Sequence, residues 1–493
     1  MFDAAILWSV LLLPAIAGTT AAVWPWRRGA VGWMVVATVA SAAMEGATAV
    51  AVWQGGRSIT TAGGWLFADG LSAFHLAVMA IVFTLCGLYS LVYFSPRGDG
   101  HPLAPHPARR FAALWLGAQA AMTLLLVSNN LGLMWVGMES TTLLTAFLVS
   151  LHPTKVSLEA TWKYLMICSV GIAFAFMGTL IAAAAVPEAG RAIAGGLLWT
   201  VMMREASHLD PTLMRIAFVF LAVGYGTKAG LAPMHNWLPD AHSQAPGPVS
   251  AMFSSFMLNA ALFCILRYLP ITRAATGTAF ASHLLVFFGV ASIVIAAAFI
   301  LSQSDAKRLL AYCSVEHLGI ICLAFGLGPL GAFAGLFHTL NHAVCKSLAF
   351  FSVARLGQRY GSHDMTILRG ALRANRVWGI GLLASFLALI GVAPFAILMS
   401  ELALVRAAVH AAAWLPLVVF LGGGTLIFIT MLRRAIHMTM GAVPQGVAIA
   451  HDGRTASLVV WLPILLLLTL GLWMPQPLRT ALQQAAAVVG GTP

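Results

Sequence analysis

Charge is the scarcest property of this 493-residue chain. Its 27 Lys+Arg and 15 Asp+Glu make up 9% of the residues, where a soluble protein would carry roughly a quarter. Hydrophobic residues make up 60%, and mean hydropathy is +0.90. The deficit excludes a soluble enzyme, a secreted disulfide scaffold and a disordered tail, and places most of the chain in a lipid bilayer. Cysteine is also scarce. Cys86, Cys168, Cys264, Cys313, Cys322 and Cys345 all lie in apolar stretches, with no Cys-x-x-Cys. That argues against iron–sulfur ligation, a local zinc site and a disulfide framework. A glycine-rich nucleotide fingerprint is missing too. The expectation is a chain with no cofactor, no metal and no redox centre of its own. The net charge of +12 forms no basic patch or binding motif, which excludes nucleic acid as a partner.

What is present is a series of long apolar runs. A membrane-spanning helix needs about 20 such residues. About fourteen segments qualify: 2–23, 30–54, 71–95, 110–127, 129–150, 159–185, 212–232, 247–270, 281–302, 307–327, 329–356, 377–403, 412–436 and 457–477. The fourth and fifth nearly fuse at Ser128-Asn129-Asn130, so thirteen remains open. The first segment has no basic leader and is too long for a signal core, so it reads as an uncleaved helix. With the N-terminus outside, sixteen basic residues fall in inner loops: Arg27, Arg28, Arg97, Arg109, Arg110, Lys155, Lys307, Arg308, Arg355, Arg359, Arg369, Arg373, Arg376, Arg433, Arg434 and Arg454. Six fall outside: Arg57, Arg191, Arg204, Arg273, Arg406 and Arg479. The positive-inside rule then predicts that both termini are periplasmic.

Two segments are interrupted alike, by Gly-Leu-Ala-Pro at 230–233 and Gly-Val-Ala-Pro at 391–394. Paired interruptions point to a repeat-built transporter with its ion path at the breaks. The buried charges cluster there. Glu139 lies mid-segment five, Lys228 just before the first break and Glu401 after the second. Each is too far from a loop to snorkel, and an ionised group at the helix centre costs about 2.5–3.5 kcal/mol on the insertion scale. A carboxylate near Lys228 would hold it charged, and losing that contact would release a proton. His338, His342 and Lys346 are spaced i, i+4, i+8, which stacks them on one helix face as a proton relay. As metal ligands they are poor, since lysine is no usual ligand and no carboxylate adjoins the pair. Glu316 and His317 either belong to the path or bond across helices, and Glu45 and Lys163 are equally open. His235, Asp240 and His242 lie beyond the first break, as proton uptake groups or as caps of the next helix.

The stretch LDPTLMRIAFVFLAVGYGTKAGLAPMHNWLPDAHSQAPGPVSAM resembles the hallmark region of the proton-translocating antiporter-like family. That family includes the large membrane subunits of complex I (NADH:quinone oxidoreductase), Mrp-type cation/proton antiporters and group 4 membrane-bound hydrogenases. SLEATWKYLMICSVGIAF, SDAKRLLAYCSVEHLG and FHTLNHAVCKSLAFF continue the agreement over roughly residues 65–440. The subfamily that looks most similar is the F subunit of hydrogenase-4 and formate hydrogenlyase complexes.

The resemblance implies an all-α polytopic protein with two inverted five-helix repeats, each with one broken helix. Its divisions would be helices one to three (1–108), a first repeat (109–270), a second (271–440) and a C-terminal transmembrane helix (441–493), with no long lateral helix after it. Glu139 matches the family's fifth-helix glutamate and Lys228 its partner lysine. His338, His342 and Lys346 match the central and connecting residues, and Glu401 the acid or lysine of the broken twelfth helix. Asn259 stands where relatives often carry an eighth-helix lysine, and an amide there could only bridge water. Ile172 lies near the place of a sixth-helix aspartate. The resemblance implies a non-catalytic proton-pumping subunit in a bacterial cytoplasmic membrane. Its partners would be other membrane subunits of a redox complex and, through them, a soluble hydrogenase or dehydrogenase arm. A cation/proton antiporter carrying sodium, a proton-driven partner of a bicarbonate-accumulating subunit, and a structural scaffold remain alternatives.

Overall fold

The computed structural model describes residues 2–25, 29–61, 63–95, 102–187, 196–449 and 453–491. Arg27, Arg28, Arg97 and Arg191 of the orientation argument lie outside those residues. The fold is a bundle of long helices: α1 (Phe2–Val23), α2 (Ala30–Gly55), α3 (Gly70–Tyr93), α4 (Pro105–Val127), α5 (Leu131–Val149), α6 (Lys155–Ala184) and α7 (Pro211–Ala229). After the first break come α8 (Trp237–Gln244), α9 (Gly247–Thr276), α10 (Thr278–Ile300), α11 (Ala306–Gly326) and α12 (Gly328–Tyr360). α13 (Arg376–Leu389) and α14 (Ala396–His410) flank the second break, and α15 (Trp414–Thr439), α16 (Arg454–Leu472) and α17 (Gln476–Gly490) follow.

Eleven described helices are long and apolar enough to cross a membrane. The expected segments outside that set are 212–232, 329–356 and 377–403. These are the three that carry Lys228, the His338–Lys346 stripe and Glu401. Their polar residues and breaks lower the apolarity without removing them from the bundle. The lipid-facing side is legible on α6, where Trp162, Met166, Val170 and Phe174 repeat every fourth position and are exposed. A stripe like that would be a liability in water and is ordinary against acyl chains. α9 and α11 are buried throughout their apolar windows, and with α12 they form the centre of the protein.

Side-chain caps set the helix starts. Asp69 accepts from the backbone N–H of Leu71 and Ser72 at α3, and Asp210 does the same at α7. Thr154 and Ser157 form a reciprocal capping box at α6. Asn130 caps α5, while Asn129 ties the same turn to Trp65 and Trp199 through its backbone. α4 and α5 are therefore separate spans, which resolves the near-fusion in the sequence. Two features were not expected. A two-stranded antiparallel hairpin pairs Ile59–Thr60 with Phe67–Ala68. The amphipathic α17 also follows the last span, burying Leu482, Ala485 and Val489 against α3 and α12.

Candidate functional site

The two interruptions fold alike. Gly230 (φ 74°) ends α7 and Gly391 (φ 69°) ends the α13 segment, each in the left-handed conformation that glycine adopts freely. At the first break Leu231 N–H donates to Gly226 O at 2.9 Å, and at the second Val392 N–H donates to Leu387 O at 3.0 Å. Gly230 and Gly391 close on the carbonyls of Thr227 and Ala388, both at 3.1 Å, which completes a Schellman closure at each place. Both Ala–Pro bonds, at 232–233 and 393–394, are cis. Inside a bilayer the freed backbone groups need partners. Trp237 Nε1 donates to Thr227 O, Ala232 N–H donates to Ser292 Oγ, and Asn341 Nδ2 donates to Ala396 O.

Lys228 is fully buried in the last turn of α7. Its Nζ donates to Thr142 Oγ1 at 3.0 Å and to Tyr164 OH at 2.5 Å, and lies 4.5 Å from the centre of the Tyr164 ring. Glu139 lies on the same helix as Thr142, but its Oε1 accepts from Ser169 Oγ at 2.9 Å and its buried Oε2 has no partner. The expected direct contact between Glu139 and Lys228 is thus absent from this structure. The hydroxyls of Thr142 and Tyr164 hold the lysine instead, while the carboxylate pairs with Ser169 one turn further along α6.

The link to the second half runs through a π turn in α9, residues Phe253–Met257. Tyr164 OH also meets Met257 Sδ at 3.7 Å. From the same turn Ser254 Oγ pairs with Ser314 Oγ at 2.7 Å, and Ser347 Oγ donates to Ser255 Oγ at 2.9 Å. Ser314 and Lys346 Nζ then share the Leu310 carbonyl, at 3.0 and 2.8 Å. Wider turns of this kind often mark functional positions. Asn259, at the place of the relatives' eighth-helix lysine, donates its Nδ2 to Ser255 O at 2.7 Å on its own helix while its buried Oδ1 stays unpartnered. The four serines connect the halves; the Ser-Ser pair in an otherwise apolar run was the available signal.

α12 turns His338, His342 and Lys346 toward α11. One ring nitrogen of His317 lies 2.8 Å from His338 Nε2, and His338 Nδ1 lies 3.0 Å from Ser400 Oγ on α14. The His342 ring centre is 5.2 Å from that of His317, with both of its nitrogens unpartnered and buried. Glu316 and Glu401 line one cavity of about 270 Å³ with Ile390, Leu398 and Phe428. Glu316 and His317, left open by the sequence, thus join the buried group. Among the described residues Cys313, Glu316 and His317 bring three possible metal-ligand atoms within 4.8 Å of one another. Their spacing on α11 is i, i+3, i+4, a one-turn set that the absence of Cys-x-x-Cys does not address.

The remaining candidates sit at the periphery. Asp240 bridges Lys163 Nζ (3.1 Å) and Arg308 Nη1 (2.5 Å), with Lys163 also paired to Glu159 at 2.7 Å. It is neither a helix cap nor a free carboxylate. His235 is buried beside Phe299 and Tyr312 with Nδ1 unpartnered. His242 is fully buried, stacked on Phe350, with both nitrogens unpartnered. Lys307, counted among loop charges, is buried and donates to the carbonyls of Ser243 (3.0 Å) and Ala245 (2.5 Å) at the end of α8. Nothing in the local sequence marks Arg267, which lies in the apolar run 247–270. It is buried and makes a two-pronged pair with Asp69, at 2.5 and 3.0 Å, between the rings of Trp199 and Phe263. Glu45 is buried against Gln119 Nε2 at 3.0 Å.

Residues 128–430, which hold both breaks and every polar group of the path from Glu139 to Glu401, match the NADH:quinone oxidoreductase/Mrp antiporter transmembrane family. The chain belongs to that family. It is 38% identical to a hydrogenase-4 component F homolog of Methylacidiphilum infernorum, over 69% of this chain and 71% of that protein. With hydrogenase-4 component B of Escherichia coli it shares 33% identity over 63% of its own length, spanning only 46% of that relative. A chain of the membrane-bound sulfane sulfur reductase, an archaeal respiratory membrane complex, has the same fold, with a TM-score of 0.88 at 24% identity over 98% of both chains.

Proposed function

We propose that this polytopic antiporter-like subunit translocates protons as part of a redox-driven membrane complex. One observation carries the reading: a nearly continuous file of buried polar groups joins the two helix breaks. It passes from Lys228 and Tyr164 through the serines of α9 to Lys346 and the histidines, and ends at the Glu316–Glu401 cavity. Groups this polar are expensive in a bilayer, and their retention suits a proton relay. In the cycle, a proton held at Lys228 by Thr142 and Tyr164 is released when the electrostatic support of Glu139 weakens, passes by bound water and the serines to Lys346 and the histidines, and leaves past Glu401. Lys163, Asp240, His235 and His242 border the inner approach to the first break. Asn259 flanks the serine junction.

The boundaries 1–108, 109–270, 271–440 and 441–493 suit two units of five spans each. Five is odd, so the second unit meets the membrane inverted. The basic-residue bias favours both termini outside a bacterial cytoplasmic membrane, with the other membrane subunits, and a soluble hydrogenase or dehydrogenase arm beyond them, as partners. The test is proton uptake by inverted vesicles carrying the assembled complex. Lys228→Ala and Glu139→Ala should each abolish coupled uptake while the complex stays intact; full coupled uptake in either variant would overturn the reading. The family match also covers Mrp antiporters, and redox-independent sodium transport by the reconstituted chain would favour that second reading.

A further inference from the structure

We propose that Cys313, Glu316 and His317 form a binding site for a thiophilic divalent cation, of the zinc or cadmium class, and that its occupation blocks the relay. The three residues follow one another at i, i+3 and i+4 on α11, so one helical turn presents a sulfur, a carboxylate and an imidazole together. Their donor atoms already lie within 4.8 Å of one another. A four-coordinate zinc with bonds of about 2.0–2.3 Å would ask each side chain for only a small inward rotation.

Two buried atoms lack partners in this arrangement: Oε2 of Glu316 and Nε2 of His317. The other nitrogen of His317 already meets His338 Nε2, and His338 meets Ser400. A metal-bound histidine characteristically passes its second N–H to such an outer acceptor. Glu401 lines the same cavity as Glu316 and marks the way in, and water from that cavity would supply a fourth ligand. Charge favours the site as well. On binding, the Cys313 thiol gives up its proton to solvent, and thiolate plus carboxylate then neutralise the dication. Lys346 faces this turn of α11 through the Leu310 carbonyl. A cation there would compete with the ammonium and immobilise His317. The blockade rests on the relay reading; the binding does not.

The full chain, purified in detergent, is titrated with Cd²⁺. A thiolate-to-cadmium charge-transfer band in the ultraviolet is expected at one ion per chain, displaced by Zn²⁺. Cys313→Ser should abolish it and Cys86→Ser should keep it. Glu316→Gln should weaken binding by more than the roughly 10–100-fold that loss of an outer partner costs, which keeps the test alive if the serine variant misfolds. Absence of the band in the parent chain, its survival in Cys313→Ser, or unchanged affinity in Glu316→Gln would overturn the site. Cd²⁺ should also slow proton uptake by vesicles with the parent complex and spare Cys313→Ser. Binding without inhibition would refute the blockade and count against the relay, leaving the metal site standing.

Discussion

Lys228 Nζ lies 2.5 Å from the Tyr164 hydroxyl and 4.5 Å from the centre of its ring. One tyrosine thus offers the buried ammonium both an acceptor and a π face, while no carboxylate touches it directly. A hydrogen bond to a charged group is worth about 1.5–3 kcal/mol, and a desolvated cation–π contact about 2 kcal/mol. Tyr164→Phe removes the first and keeps the second. Proton uptake by vesicles with the Phe variant should fall about tenfold, the equivalent of some 1.4 kcal/mol, with the complex assembled normally. Tyr164→Leu, which removes both, should fall further. Equal rates in the two variants would show that the hydroxyl carries the whole effect.

How far the sequence reaches is visible in these same residues. The breaks at Gly230 and Gly391, the helical stripe on α12 and the order of spans all follow from local pattern, because glycine, proline and apolar periodicity act over a few positions. Tyr164, Thr142, Ser292 and Ser400 were illegible. Each is an ordinary residue whose role comes from a neighbour 60 to 86 positions away, as with Thr142 and Lys228. Arg267 sits near the end of the apolar run 247–270, and only the fold brings it to Asp69, 198 residues distant.

That pair makes a separable prediction. Asp69 does two jobs, capping α3 through Leu71 and Ser72 and neutralising Arg267. Removing one partner of a buried ion pair costs about 3–5 kcal/mol. Arg267→Met should therefore lower thermal stability strongly in detergent. Asp69→Asn keeps a good capping residue and Asp69→Ala does not, so the alanine variant should be worse than the asparagine variant by about 1 kcal/mol. Denaturation curves of the three variants check the order.

Gly391 links the second break to Glu401. Its positive φ suits glycine, and a Cβ there would run into the Glu401 carboxylate. Gly391→Ala should destabilise by about 1–2 kcal/mol from backbone handedness alone, and should also displace Glu401 and reduce proton uptake. Gly422, within α15, has nothing near its absent Cβ, and Gly422→Ala should gain up to about 1 kcal/mol. Paired thermal melts, with uptake rates on the same preparations, distinguish the local clash from a general intolerance of alanine.

The loop after α12 gives the last prediction, a pH dependence. His363 packs its imidazole against Gly357, and its carbonyl accepts from Ala306 N–H at the start of α11. Burial, helped by the nearby Lys307, pushes its pKa down to about 3. In the unfolded chain the imidazole titrates near about 6.5, so between those values the unfolded form binds the proton and the folded form refuses it. The stabilisation is complete above pH ~6.5 and is lost progressively as pH falls toward 3. Protonation would also set a cation beside Lys307, whose ammonium holds the Ser243 and Ala245 carbonyls at the end of α8. Loosening should therefore begin at the loop and reach the broken helix. Thermal midpoints measured from pH 7.5 downward should decline more steeply for the parent chain than for His363→Gln, with amides at the start of α11 losing exchange protection first. Parallel curves for the two proteins would remove His363 as the sensor.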